Sequence, residues 1–460
     1  MKSDRAWIGL ILAWAVLQLG WRYAQGPWLE LDEAEALYFA RHFAWGYNAQ
    51  PPLYFWLQAG VFALFGENIF ALALLKNALL ALAALLLYAM LRRWRPPFEA
   101  GLAVAGLGLL PQILWEAQRA LTHSVLAITM ALLIMALAER LLNPGGRVTL
   151  KSWIALGLAA GLGAISKWNV ALLPVAILTA ALLRAEWRAR LDPRGLVLAL
   201  GAALCVLAVP GWWIMRNFER AGASLHKLEI EEATLPSKLA AGLGSLGAAW
   251  IAFLGLVILL VLIVALTTRA PRRWQPDPAS RLMIGTMLAG AGWLAVGLPL
   301  FGVTEVADRW LLPIALFAAP VAVLWTLDRA GARGGRWLAG GLAALWLLAI
   351  ALLPVSGRIE PGYRAAGFAP LASWIEAAHP GATVLTDSGW IAGNLILALP
   401  GRDIRLAEEA PGLEGPVLWL ARDGAAQALA ADFGRVAAPQ GARALQRGRR
   451  EEAIDVALSP

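Results

Sequence analysis

The chain alternates long apolar runs with short polar, mostly basic connections. Runs near 6–24, 72–91, 98–115, 121–139, 152–166, 168–183, 195–214, 240–267, 282–301, 310–327 and 337–354 each predict a helix, about eleven in all. Crossing the hydrocarbon layer takes about 20 consecutive apolar residues, so 152–166 and 168–183 are short and predict tilted, broken or half-buried helices. The stretch 52–65 is apolar but shorter still and predicts an interfacial helix. From about Ser356 the pattern changes. Polar turns separate strand-like pieces, Ala382-Thr383-Val384-Leu385 and Pro416-Val417-Leu418-Trp419-Leu420, with helix-like pieces such as 370–378 between them. The expected fold is a polytopic α-helical membrane domain over 1–355, with the loop 25–71 carrying interfacial helices, followed by a small α/β domain over 356–460. A loosely ordered tail is the alternative for that last part. The first apolar stretch is also compatible with a signal peptide, but no clean cleavage site follows it, so a retained helix is expected.

Composition agrees with the pattern. Of the 460 residues 60% are hydrophobic and 15% charged, against about 25% charged in soluble domains. The 23 tryptophans suit membrane interfaces. The net charge of +8 would fit nucleic acid, but most of the cations before residue 355 fall into loops on one side, so no nucleic-acid partner is expected. With the N-terminus in the cytoplasm, the loops on that side hold Lys2 and Arg5; Arg92, Arg93 and Arg95; Arg140, Arg147 and Lys151; Arg184, Arg188, Arg190 and Arg194; Arg269, Arg272, Arg273 and Arg281; and Arg329, Arg333 and Arg336. Every one is basic, as the positive-inside rule asks. The loop after the first helix then lies outside. The single Cys205 excludes an intrachain disulfide and a cysteine-based metal cluster.

That outer loop holds the densest chemistry: Leu31-Asp32-Glu33-Ala34-Glu35, then Gly46-Tyr47-Asn48-Ala49-Gln50-Pro51-Pro52-Leu53. Carboxylates at a membrane surface are costly and read as functional. Two readings compete for Asp32. It is a helix cap, with Glu35 three residues on completing a capping-box-like pair. Alternatively it is a general base whose basicity a partly dehydrated loop would tune.

The segment 31–53 resembles the first outer loop of the GT-C glycosyltransferases that use polyprenyl-phosphate sugars. The resemblance is to the bacterial family 39/83-type enzymes, similar to protein O-mannosyltransferases and the lipid A aminoarabinose transferase. It rests on Asp32-Glu33, Tyr38, Gly46-Tyr47 and Pro51-Pro52-Leu53. Weaker matches are Phe65-Gly66-Glu67-Asn68, the segment 157–167 with Trp168, and Arg309-Trp310-Leu311-Leu312-Pro313. It covers about residues 6–355 and departs in places. Relatives often carry a basic residue where Gln50 stands, an Arg where Glu35 stands, and an acidic residue where Thr122 is followed by His123.

The resemblance implies an inverting glycosyltransferase of the bacterial inner (plasma) membrane, with its active site and C-terminal domain on the outer face. Its partners would be a polyprenyl-phosphate-linked sugar as donor, a lipid, glycan or protein as acceptor, and membrane lipids. Asp32 would be the base, and Glu33 would orient it or bind the acceptor. Lys167 and Arg309 would meet the donor phosphate, with Arg41 and Arg216 after them and Lys76 and Arg119 as further candidates. For all these cations interfacial snorkelling is the bland alternative. Tyr38, Tyr47 and Tyr54 would stack on sugar rings, or simply anchor at the interface. Gln50 and His123 would contact substrate, or His123 would be a hydrogen-bonded structural histidine. The long polar loop 215–240 is expected as a lid. Its His226 and Glu229 supply two metal ligands without a third, so no cofactor is expected and a divalent metal has no support. A lipid-linked-sugar flippase and an inactive GT-C-like scaffold are the rival readings. The clustering of charge at one face favours surface chemistry over transport.

Overall fold

The computed structural model describes residues 3–145, 148–222, 234–268, 274–359, 362–409, 415–422, 424–447 and 450–460. Of the expected lid 215–240, residues 223–233 with His226 and Glu229 lie outside the described residues, and the remainder is mostly helical: the end of a helix over Pro193–Arg216, a short helix over Phe218–Ala221 and the first residues of a long helix from Leu235. In chain order the helices are α1 (Asp4–Ala24), α2 (Leu31–Phe39), α3 (Leu53–Phe65), α4 (Ile69–Leu91), α5 (Pro97–Ala105), α6 (Ala117–Arg119), α7 (His123–Leu142), α8 (Leu150–Ala164), α9 (Leu172–Leu183), α10 (Ala185–Arg188), α11 (Pro193–Arg216), α12 (Phe218–Ala221), α13 (Leu235–Thr267), α14 (Pro278–Leu300), α15 (Leu312–Ala315) and α16 (Ala318–Ile359). Then follow α17 (Ala369–Ala378), β1 (Thr383–Thr386), α18 (Gly389–Ala398), β2 (Ile404–Leu406), β3 (Val417–Arg422), α19 (Ala426–Asp432), β4 (Ala438–Arg447) and β5 (Arg450–Ser459).

Among the described residues, α4, α7, α11, α13, α14 and α16 are long and apolar enough to cross a membrane. The expected span 98–115 is not one straight helix. The pair 97–109 and 112–119 bends by 84° at a stretch holding Gly106, Gly108 and Pro111, which cannot hold a regular helix. The Trp346 indole N–H takes up the Ala105 carbonyl at 2.8 Å beside that break. The runs 310–327 and 337–354 become α15 and the long α16, which kinks at Gly331 with φ +63°. The expected fifth and sixth spans are short helices, α8 with 15 residues and α9 with 12. Gly157 and Gly161 of α8 lie against Ala199 and Ala203 of α11, where a Cβ would come within 2.6 and 3.1 Å of the neighbouring Cα atoms. Small residues four apart let two helix backbones approach this closely, so this part of the glycine-rich motif serves packing.

The C-terminal residues form a five-stranded sheet of order β2-β1-β3-β5-β4. β1 pairs parallel with β2 and β3, and β3, β5 and β4 are antiparallel. Alternation along β3 sends Leu418 and Leu420 into the large core with α17 and α18, and Val417, Trp419 and Ala421 into a smaller core with Ala426 and Ala430 of α19. α18 lies directly on α2. Gly393 faces the Ala34 backbone, where a Cβ would fall 2.6 Å from the Ala34 Cα. The sheet thereby bears on the acidic loop.

Candidate active site

The helix that carries the carboxylates starts two residues earlier than a cap at Asp32 requires. The N-cap is Glu30, whose N–H donates to the Glu33 Oε2 at 3.3 Å. Asp32 is therefore a first-turn residue, and the expected Asp32/Glu35 cap is corrected to Glu30/Glu33. Acidic side chains in a first turn also suit the positive end of the helix. Its successive carboxylates then point to different neighbours.

Glu33 is buried among three cations. Arg22 reaches it with Nε at 3.1 Å and Nη2 at 3.0 Å. Arg364, which precedes the sheet, reaches it with Nε at 3.0 Å and Nη2 at 2.6 Å. Lys76 of α4 donates at 3.3 Å. Burial alone would raise its pKa, but the Arg22, Arg364 and Lys76 charges prevail and hold Glu33 well below the usual carboxylate range. It ties α1, α4 and the C-terminal part to α2. Lys76 is thus committed to Glu33, not free for a phosphate. Arg22 and Arg364 were not among the sequence candidates; their only signal was being cations among apolar neighbours.

Asp32 turns the other way. Its Oδ2 accepts from the Thr122 N–H at 3.2 Å and the Thr122 hydroxyl at 3.3 Å. Burial raises its pKa, against the Thr122 donors and the charges of Lys167 and Arg309. Lys167 donates to the Ser124 hydroxyl at 2.6 Å. Burial, opposed by Asp32 and aided by Arg309, pushes it down to about 8. Arg309 is exposed beside them. Backbone contacts assemble these motifs. The Trp168 indole donates to the Ala49 carbonyl at 3.1 Å, the Leu53 N–H to the Ile165 carbonyl at 3.1 Å, and the Asn169 amide to the Trp310 carbonyl at 2.8 Å. The Pro-Pro-Leu turn, the Ser-Lys-Trp segment and the Arg-Trp-Leu-Leu-Pro segment thus meet around Asp32.

Other candidates lie elsewhere. Arg41 is paired with Glu67 at 3.1 Å, Arg119 with Glu116 at 3.5 Å, and Arg216 stands over the Trp212 ring. The three tyrosines are buried. Tyr38 accepts the Leu406 N–H at 2.7 Å, Tyr47 donates to the His42 carbonyl at 2.9 Å, and Tyr54 packs against His123. These rings carry polar tips that satisfy backbone groups, which is why aromatic residues recur in the loop. His123 is buried between Tyr54 and Phe55, with its Nδ1 3.2 Å from the Thr122 hydroxyl. It supports Thr122 from behind. Gln50 is half-buried, with its N–H on the Asn48 side chain at 2.8 Å.

Helices long and apolar enough to cross a membrane, a buried carboxylate set against two cations, and α18 seated on that carboxylate's helix mark one candidate site of a membrane protein. Comparison with known proteins narrows the class. The family model for dolichyl-phosphate-mannose-protein mannosyltransferase matches residues 49–213. The lipopolysaccharide core galacturonosyltransferase RgtB of Rhizobium johnstonii is 32% identical over 458 residues, covering 94% of this chain and 90% of its own. The undecaprenyl phosphate-alpha-4-amino-4-deoxy-L-arabinose arabinosyl transferase of Pseudomonas paraeruginosa is 28% identical, covering 94% and 84%. ArnT from Cupriavidus metallidurans bound to undecaprenyl phosphate shares the fold, with a TM-score of 0.64 at 14% identity over 99% of this chain and 98% of that one. The chain belongs to the GT-C glycosyltransferases that take sugars from polyprenyl-phosphate donors. It is a membrane-bound glycosyltransferase.

Proposed function

We propose that the enzyme transfers a sugar, with inversion, from a polyprenyl phosphate to a hydroxyl of lipopolysaccharide, and that Asp32 is its general base. Asp32 takes the proton of the acceptor hydroxyl as that oxygen bonds to the anomeric carbon. The bond from that carbon to the phosphate oxygen breaks, and the polyprenyl phosphate leaves with the electron pair. Lys167 and Arg309 stand where the departing phosphate gains charge, and fixed cations at such a point lower the barrier. The observation that carries the reading is the placement of Asp32 between the Thr122 donors and the field of Lys167 and Arg309. Burial makes a carboxylate a stronger base, which suits a hydroxyl as its target.

The acceptor class rests on the relatives, which are named for lipopolysaccharide core and aminoarabinose transfer. The basic loops favour a cytoplasmic N-terminus, with Asp32 and the 356–460 domain on the outer face of the inner membrane. Arg41 and Arg216, each already partnered, rank below Lys167 and Arg309. Glu33, saturated by cations, acts by holding α2 in place. The test is transfer from a panel of radiolabelled polyprenyl-phosphate sugars to lipopolysaccharide in nanodiscs. Asp32→Asn should lower the rate by about 10²–10⁴-fold while still binding undecaprenyl phosphate. Transfer at the wild-type rate would remove the base.

A further inference from the structure

Asp32 has two unlike sides. Toward α7 and the Trp168 segment stand Thr122, Lys167 and Arg309. Toward α18 stands Glu35, three residues on along α2 and therefore on the same face of that helix as Asp32. Glu35 is half-buried. Its stem rests on α18, where a Cβ at Gly389 would lie 3.0 Å from the Glu35 Cγ. α18 carries no charged residue. Among the described residues no hydrogen bond or ion pair reaches the Glu35 carboxylate; only burial and the Asp32 charge act on it. Every neighbouring acid is committed by contrast, Glu33 to its three cations and Asp32 to Thr122.

A half-buried carboxylate without a donor is costly unless something else supplies one. When ionised it repels a phosphate, which sets it apart from the cations that would meet the donor's leaving group. It also repels any phosphate borne by the acceptor. We infer that Glu35 lines the acceptor side of the site and hydrogen-bonds the hydroxyl-rich, uncharged face of the acceptor sugar, beside the hydroxyl that Asp32 deprotonates. The acceptor sugar then lies on the Glu35 side of Asp32, opposite the donor phosphate, with α18 still seated on α2. Burial and the Asp32 charge push Glu35 up to about 7, so near neutrality it can donate as well as accept. The inference rests on the proposed roles of Asp32, Lys167 and Arg309.

The experiment is steady-state transfer to purified lipopolysaccharide, with binding of undecaprenyl phosphate measured in parallel. Glu35→Ala should raise the acceptor KM by about tenfold or more, the loss expected for a hydrogen bond to a charged group, and leave undecaprenyl phosphate binding unchanged. Glu35→Gln should raise the acceptor KM by a smaller factor, since an amide still bonds hydroxyls. Gly389→Ala keeps the carboxylate but crowds its stem, and should also raise the acceptor KM; it serves if Glu35→Ala does not fold. An unchanged acceptor KM in Glu35→Ala and Gly389→Ala overturns the inference. So does weakened undecaprenyl phosphate binding, which would place Glu35 on the donor side, or a lower kcat with a shifted pH profile at constant KM, which would make it a proton carrier. Full activity of Asp32→Asn would defeat the base reading separately, because the acceptor KM of the Glu35 variants is read independently of it.

Discussion

Glu33 with Arg22, Lys76 and Arg364 is a buried set of four charges that sums to +2. Replacing Glu33 by Gln leaves three cations facing one another at +3. Replacing Arg364 by Ala leaves Glu33 still paired with Arg22 and Lys76, at +1. Removing one partner of a buried pair costs about 3–5 kcal/mol, and Glu33→Gln orphans three partners at once, so it should reach about 5 kcal/mol or beyond. Arg364→Ala loses bonds of 2.6 and 3.0 Å to one carboxylate, each worth about 1.5–3 kcal/mol. The guanidinium no longer has to be dehydrated, which brings the net loss to about 2–3 kcal/mol. The assay is the fraction of monodisperse protein left after heating in detergent. The expected order of stability is wild type, then Arg364→Ala, then Glu33→Gln. A Glu33→Gln protein as stable as wild type, or more stable than Arg364→Ala, refutes the account. The pH dependence is a second check. A carboxylate held below its ordinary 4.5 contributes stability that is complete above that value and fades only as pH falls through the lowered one. The gap between wild type and Arg364→Ala should therefore stay constant from about pH 7 to pH 5.

Glu35 should behave in the opposite sense. Its unfolded side chain titrates near 4.5 and its folded one near 7, so stability is lost as pH rises through that window. Glu35→Gln escapes the loss, and its advantage in Tm over wild type should widen between about pH 5 and pH 8; parallel curves would show that Glu35 is not buried as described. Gly393→Ala places a Cβ against the Ala34 backbone, where no rotamer relieves the clash, and should cost about 1–3 kcal/mol while slowing transfer through the displaced α2; wild-type melting and rate would mean that α18 does not rest on α2 in the active enzyme. Lys167→Ala and Arg309→Ala should each weaken undecaprenyl phosphate binding by about tenfold or more, and their double variant should fall short of the product if both hold one phosphate; equal, fully multiplied losses would place them on separate groups.

The order of apolar runs determined the class of the protein, because backbone groups in hydrocarbon must be bonded within helices. Apolar pieces bounded by polar turns marked β1 and β3, and local motifs singled out Asp32, Lys167 and Arg309 as site candidates. What lay beyond the sequence is long-range. Arg364 meets Glu33 across 331 positions, Leu406 meets Tyr38 across 368, and Thr122 meets Asp32 across 90. No local periodicity encodes such pairings. The three neighbouring carboxylates Asp32, Glu33 and Glu35 look alike in the chain. Helical geometry sends them to three different environments, and those environments, through burial and the charges that face each group, decide which carboxylate is a clamp and which faces the Lys167 and Arg309 charges.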